Sequence, residues 1–158
     1  MKLYFKQKVF SLRQRTSITD ENGNQLFTAV GEISIGRRMH LYDAHNNEVA
    51  FIQQRLLKLL PRFSVYIGDT HVTDIVKEFK FFKNDYHLEG LDWKINGSIM
   101  AHDYTIESGG RYIASIHKRW MTWGDSYEID INDGEDIILA LAVIIAIDCV
   151  IDCSQSNN

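Results

Sequence analysis

One proline and two cysteines among 158 residues exclude several kinds of protein at once. Cys149 and Cys153 stand four apart in a helical pattern, so a disulfide framework is implausible and reduced thiols are the natural reading. Basic excess is also missing. Seventeen Lys and Arg against 21 Asp and Glu leave a net charge of -4, which argues against a general nucleic-acid binder, because such proteins release counterions from phosphates with a basic face. No phosphate-binding glycine loop, Gly-x-Ser-x-Gly elbow or His-Glu-x-x-His pair occurs, so none of the chemistries those spacings serve is indicated, no cofactor is expected and no catalytic residue is assigned. The amino terminus, Met1-Lys2-Leu3-Tyr4-Phe5-Lys6-Gln7-Lys8, lacks the apolar core and small-residue cleavage site of a secretory signal, and we expect a cytoplasmic protein. Without a linker or low-complexity stretch, residues 1–158 read as a single domain.

What the chain does contain, up to about residue 133, is alternation of apolar and polar residues broken by turn residues at short intervals, the period of β-strands. Asn22-Gly23, Asn46-Asn47, Gly68-Asp69, Asn84-Asp85, Ser108-Gly109-Gly110 and Gly124-Asp125 are the expected turns, since these residues tolerate the positive φ of tight hairpins. Pro61 has no N–H to give a ladder, and it marks a corner or an edge. Sliding 43–67 forward by 64 positions aligns Ala50, Ile52, Arg55 and Ile67 with Ala114, Ile116, Arg119 and Ile131, and Phe27 and Gly31 meet Trp93 and Gly97 at an offset of 66. Two similar β-halves, roughly 1–67 and 68–131, are one reading; a chance likeness between amphipathic hairpins is the other.

The one long apolar run comes last. From Ile137 to Ile147 there is no polar residue, and a helix apolar on all sides must be buried. Extended to Ile151 it measures about 22 Å, short of the roughly 30 Å of a bilayer core, and Asp148 interrupts it. A buried helix over 135–152, capped by Asn132 or Asp133 with Glu135 and Asp136 in its first turn, inside a β-barrel, satisfies these facts. Asp148, near the negative end of the helix dipole, needs a partner, and Arg55 or Arg119 is a possible one.

The stretches Trp120-Met121-Thr122-Trp123-Gly124-Asp125-Ser126-Tyr127-Glu128-Ile129, Leu139 to Asp148, Glu89 to Gly97, Tyr104-Thr105-Ile106 and Ile113 to Lys118 together resemble the LURP-one-related proteins. The resemblance implies the Tubby C-terminal-like superfamily, with its phospholipid scramblases: a mainly β fold in which a closed antiparallel barrel of about twelve strands surrounds a central hydrophobic C-terminal helix. It also implies a non-catalytic binding or scaffold protein. Tubby members bind phosphoinositide head groups through basic barrel residues, but none of those residues can be matched to a position here.

Candidate sites are therefore read from charge and chemistry. Basic residues beside aromatics suit anions, and Arg37, Arg38, Lys58, Arg62, Lys77, Lys80, Lys83, Lys118 and Arg119, with Phe79, Phe81, Phe82, Trp120 and Trp123 nearby, are the candidates for an anionic phospholipid or other small anion at a barrel rim. Solvated faces are the plain alternative. A peripheral association with the membrane is one expectation, docking of a protein partner a second, and an enzyme whose site is assembled across strands a third. Asp20 to Asn24 begins like a calcium loop, but Gln25 and Gly31 occupy the positions that need glycine and glutamate, and a hairpin turn is the reading we adopt. Asp130 to Asp136 is read as a helix cap. His87, His102 and His117, and Asp148 and Asp152 with Cys149 and Cys153, would hold a metal only if the fold gathered them, and no metal site is assigned.

Overall fold

The computed structural model describes residues 1–6, 15–80, 83–121 and 124–156, with side chains except at 6, 33, 79–80, 83–85, 120–121, 124–125 and 154–156. Twelve strands and one long helix follow in order: β1 (Lys2–Lys6), β2 (Arg15–Thr19), β3 (Gln25–Ser34), β4 (Gly36–Asp43), β5 (Glu48–Gln54), β6 (Arg62–Ile67), β7 (Thr70–Lys80), β8 (Lys83–Glu89), β9 (Lys94–Ser98), β10 (Asp103–Ser108), β11 (Arg111–Met121), β12 (Gly124–Ile131) and α1 (Ile137–Ser156). A 3₁₀ turn at Ile99–Ala101 joins β9 to β10.

All the strand pairs are antiparallel neighbours in sequence except one. β1 pairs with β12, Leu3 opposite Ile129 and Phe5 opposite Tyr127, which curls the meander into a nearly closed barrel. Its two ends, β8 and β9, share no ladder among the described residues, so closure stops at one seam. Alternation decides which side chains face in. Leu3, Ile18, Ala29, Leu41, Ala50, Ile52, Phe63, Val65, Ile75, Ile106, Ile116 and Ile129 are all buried, each on the inner side of its strand. The registers echo one another along the chain: Ala50 faces Ile67 and Ile52 faces Val65, and 64 positions on Ala114 faces Ile131 and Ile116 faces Ile129.

The helix runs through this interior. Residues Ala140 to Ile147, with Cys149, Val150 and Ile151, are buried in the same core as the inward side chains, against β5, β6, β7 and β11. Each buried Ile or Leu contributes about 1.5–3 kcal/mol relative to exposure. Because twelve strands enclose a cylinder too wide for their own side chains to fill, the helix is the filler. No helix among the described residues is long and apolar enough to cross a membrane.

Several details depart from the sequence expectations. The cap is Asp136, whose Oδ1 accepts from Leu139 N at 3.0 Å; Asn132 instead donates its side-chain amide to Tyr112 O. The helix therefore begins at Ile137, not 135, and continues to Ser156. Asn84-Asp85 lies within β8, opposite Phe79 and Glu78, because the β7 ladder extends to Lys80 and overrides local turn preference. Gly124 opens β12 instead of sitting in a turn, facing Met121. Pro61 is at a corner, the residue before β6, with its carbonyl accepting from Lys77 N. At Asp20 the turn reading holds: its carboxylate takes Asn22 N at 2.9 Å and Asn24 N at 2.8 Å, and Asp43 builds the same turn with His45 and Asn47.

Candidate functional site

Antiparallel order sorts the connections into two groups, one at each end of the barrel. At one end are the turns after β2, β4, β6, β8 and β10, and the start of α1. At the other are the connections after β3, β5 and β9, and the C-terminal end of α1. Charge fastens the helix at this second end. Asp148 pairs with His102, which follows the 3₁₀ turn, and Asp152 pairs with Arg37 at the start of β4. Both carboxylates would be unfavourable at the negative end of the helix dipole; the Arg37 guanidinium offsets this for Asp152, and the His102 ring gives Asp148 a hydrogen-bond partner. The partner of Asp148 is thus His102. Neither Arg55 nor Arg119 pairs with it: Arg119 is a salt-bridge partner of Glu128 at 2.6 Å, and Arg55 is exposed.

Nor does this end of the helix carry its cysteines into water. Cys149 and Cys153 are buried and free, and burial pushes both thiols above the usual range, the condition of inert structural thiols. His87, His102 and His117 sit on β8, after the 3₁₀ turn and on β11, each with its own carboxylate nearby. Among the described residues no group of His, Cys, Asp or Glu could hold a metal ion.

The nine basic candidates are spread around the wall. Arg37 is engaged by Asp152. Arg38 lies 3.7 Å from Glu32. Arg62 bridges Asp74 at 2.9 Å and Glu89 at 2.7 Å. Lys77 is buried on β7, and Lys118 is half-buried on β11 with Arg119 beside it. Lys80, Lys83, Trp120 and Phe79 fall where side chains are not described, and Phe81, Phe82 and Trp123 lie outside the described residues. Arg119 is exposed on β11, and Lys58 stands exposed in the connection after β5.

That connection, with its neighbours, is the notable surface. Six large apolar residues are exposed among those described: Met1, Ile35, Leu56, Leu57, Leu59 and Met100. All but Met1 lie at the helix C-terminal end of the barrel. Leu57 and Leu59 are fully exposed, at 104% and 102%, and Ile35 is 89% exposed. Gly36, at φ +92, brings the β3–β4 turn to the side chain of Leu56, whose Cγ lies 3.3 Å from where a Cβ on Gly36 would stand. Leu57 itself has φ 64, a left-handed conformation that costs a non-glycine residue about 1–2 kcal/mol. Lys58 stands exposed between these leucines, and Arg55 stands exposed just before them.

A second electrostatic feature lies on the wall. Glu128, buried on β12, accepts from Lys2 at 3.2 Å and Arg119 at 2.6 Å. Burial alone would raise its carboxyl, but the hydrogen bonds and charges of those two cations outweigh it and hold the group below its ordinary range. A carboxyl lowered on folding stabilises the native state above its unfolded value of 4.5, and that contribution is lost as pH falls through the lower folded value. Asp74 is lowered in the same direction: burial pulls it up, and hydrogen bonds from Ser64, His71 and Arg62 prevail. The melting temperature should therefore drop as the solution is acidified below about pH 4, and Glu128→Gln should melt lower at neutral pH while losing less on acidification. Parallel thermal melts of the two proteins by circular dichroism across that range check this.

The architecture and its contents agree with known proteins. A family model described as LURP-one-related matches residues 1–148. The uncharacterised protein YxjI of Bacillus subtilis (strain 168) is 31% identical over 152 residues, covering 96% of this chain and 94% of its own. The X-ray structure of a protein from Arabidopsis thaliana superposes with a TM-score of 0.60 over 99% of this chain and 91% of that one, at 18% identity, a likeness of fold. With a family match along nearly the whole chain and a nearly closed barrel wrapped around its C-terminal helix, this chain belongs to the LURP-one-related family.

Proposed function

We propose that this protein is a non-catalytic, cytoplasmic barrel that docks peripherally on anionic membranes through the rim at the helix C-terminal end. The observation that carries the reading is the grouping of Ile35, Leu56, Leu57, Leu59 and Met100 at that rim, with Arg55 and Lys58 exposed beside the leucines. Exposed aliphatic side chains gathered at one end of a barrel mark a surface meant to be covered. Alternating them with cations suits the boundary between acyl chains and anionic head groups, where each Lys or Arg adds about 1 kcal/mol and each inserted side chain adds its own apolar burial. The left-handed backbone of Leu57 supports the same reading, since strain persists where function holds it. Lys80 and Lys83, at the β7–β8 connection, belong to the same end and are proposed to add to its charge.

Sedimentation with phosphatidylcholine vesicles, with and without phosphatidylserine, tests the reading. The protein should pellet with the anionic vesicles, less so as salt rises. Leu57→Asp combined with Leu59→Asp should abolish pelleting and leave the circular dichroism spectrum unchanged. Equal absence of binding to both vesicle types at every salt concentration would sink the proposal. The alternative, a module that docks a protein partner, is supported by β9, an edge strand exposed at four of its five residues, which could receive an added strand.

A further inference from the structure

We infer that Asp148 and Asp152 are positioning residues for the rim: they tie its apolar loops to the central helix, so that docking at the rim and order in the last turns of α1 are coupled. The inference rests on the rim being the docking surface and adds what holds that surface in shape. Stability alone does not account for the two carboxylates. They stand four apart on α1, and like charges at that spacing repel one another. Both lie toward the negative end of the helix dipole, where a carboxylate is disfavoured. Asp148 is also buried and Asp152 half-buried, so each has given up water as well. What offsets these terms is what each carboxylate holds.

Each holds a residue two positions beyond an exposed apolar side chain. In Ile35-Gly36-Arg37 the guanidinium that pairs with Asp152 follows the exposed Ile35 of the β3–β4 turn. In Met100-Ala101-His102 the ring that pairs with Asp148 follows the exposed Met100 of the 3₁₀ turn. The third loop hangs on the first of these ties. Arg37 N donates to Gln54 Oε1 at 3.0 Å, at the end of β5, and the side chain of Leu56 lies beside Gly36. The β5–β6 connection is thus bound to the same residue that Asp152 holds. His102 is fixed in its turn by a left-handed backbone, φ 53, by its N–H on Ile99 O at 3.0 Å, and by its ring 4.9 Å from that of Tyr127.

Loops whose apolar side chains face outward gain little order from packing. A surface that must be ordered at the moment of contact loses affinity by the entropy of that ordering, and one ordered in advance does not. The helix can supply that order to both loops at once, because it is packed in the core as far as Ile151 and carries its two carboxylates about one turn apart, one toward the 3₁₀ turn and one toward β4. Linkage acts in both directions. Contact that steadies the loops steadies the helix end, and a loosened helix end weakens contact.

Hydrogen exchange of the intact protein, read by mass spectrometry without lipid, tests the ties. Asp152→Asn should speed exchange in the β3–β4 turn and the β5–β6 connection, and Asp148→Asn in the 3₁₀ turn, with β11 and β12 unchanged. A merely structural role would speed exchange throughout. Sedimentation with phosphatidylcholine vesicles containing phosphatidylserine reads the coupling. Asp152→Asn should bind about fivefold more weakly, and Asp152→Glu nearly as the wild type does. Loss of a negative charge would by itself strengthen attraction to an anionic surface, so the weakening carries the sign of the tie. The exchanged pair, Arg37→Asp with Asp152→Arg, should restore both readouts, which covers an Asn variant that does not fold. Unchanged exchange in the loops, or loosened loops with wild-type affinity for the vesicles, would overturn the inference. Wild-type protein that never pellets sinks the membrane reading alone, and the lipid-free exchange then decides the ties by itself.

Discussion

Ile144→Asp, or truncation after Gly134, should unfold the entire domain. Ile144 is buried midway along α1, within a core to which eleven of the twelve strands contribute buried residues. An unpaired carboxylate at that position costs several kcal/mol, out of a total stability that for single domains is about 5–15 kcal/mol. Truncation acts differently, by removing the filler and leaving the inward residues of both walls facing a void. The near-UV circular dichroism signal should vanish in both variants, and the proteins should be recovered as aggregates. A soluble truncated chain with the native near-UV spectrum would show that the wall holds without its helix.

Gly97→Ala should be the most damaging of the glycine substitutions. Gly97 has φ +115 on β9, and a Cβ there would stand 2.6 Å from the carbonyl oxygen of Asp103 and 2.9 Å from the Cα of Tyr104. These are backbone atoms of the paired strand β10, and no rotamer change relieves the clash. The positive φ alone costs about 1–3 kcal/mol for an alanine, and displacing β10 adds to that. β9 is held by a ladder on one side only, so it should detach before the rest unfolds. Urea unfolding should show a lowered midpoint, and hydrogen exchange should accelerate first in β9 and β10. By contrast, the same change at Gly109, where a Cβ meets nothing within 4 Å, carries only the backbone penalty. Equal losses at the two glycines would refute the packing argument.

How legible this was in the sequence depends on how local each determinant is. The apolar run from Ile137 needs no context to be read as buried, and Asn22-Gly23 and Gly109-Gly110 mark turns through their own backbone freedom. Asn84-Asp85 is also a pair of turn-favouring residues, yet the long β7 ladder absorbed it. The partner of Asp148 was equally out of reach, because His102 lies 46 positions away and is brought to the helix by a 3₁₀ turn that spacing does not announce. For the functional surface, the basic residues drew attention because charge is conspicuous, whereas the exposed aliphatic residues carry more meaning. One signal was available: Leu56-Leu57 and Leu59-Leu60 before Pro61 interrupt the alternation at a place where a turn is due. That Ile35 and Met100 share their end of the barrel is a property of topology.

The position of α1 in the chain also governs when the barrel can form. Synthesis proceeds from the amino terminus, so every strand leaves the ribosome before the helix that fills the space between them, and β1 must wait for β12, its partner across 126 positions at Lys2 and Glu128. Until then the nascent chain displays apolar strand faces with nothing to cover them. High contact order slows such folding and leaves it open to aggregation. This protein should thus acquire its structure only after its last strand and helix have emerged, in one late step, and its yield in the cell should depend on chaperones that shelter the unfinished wall.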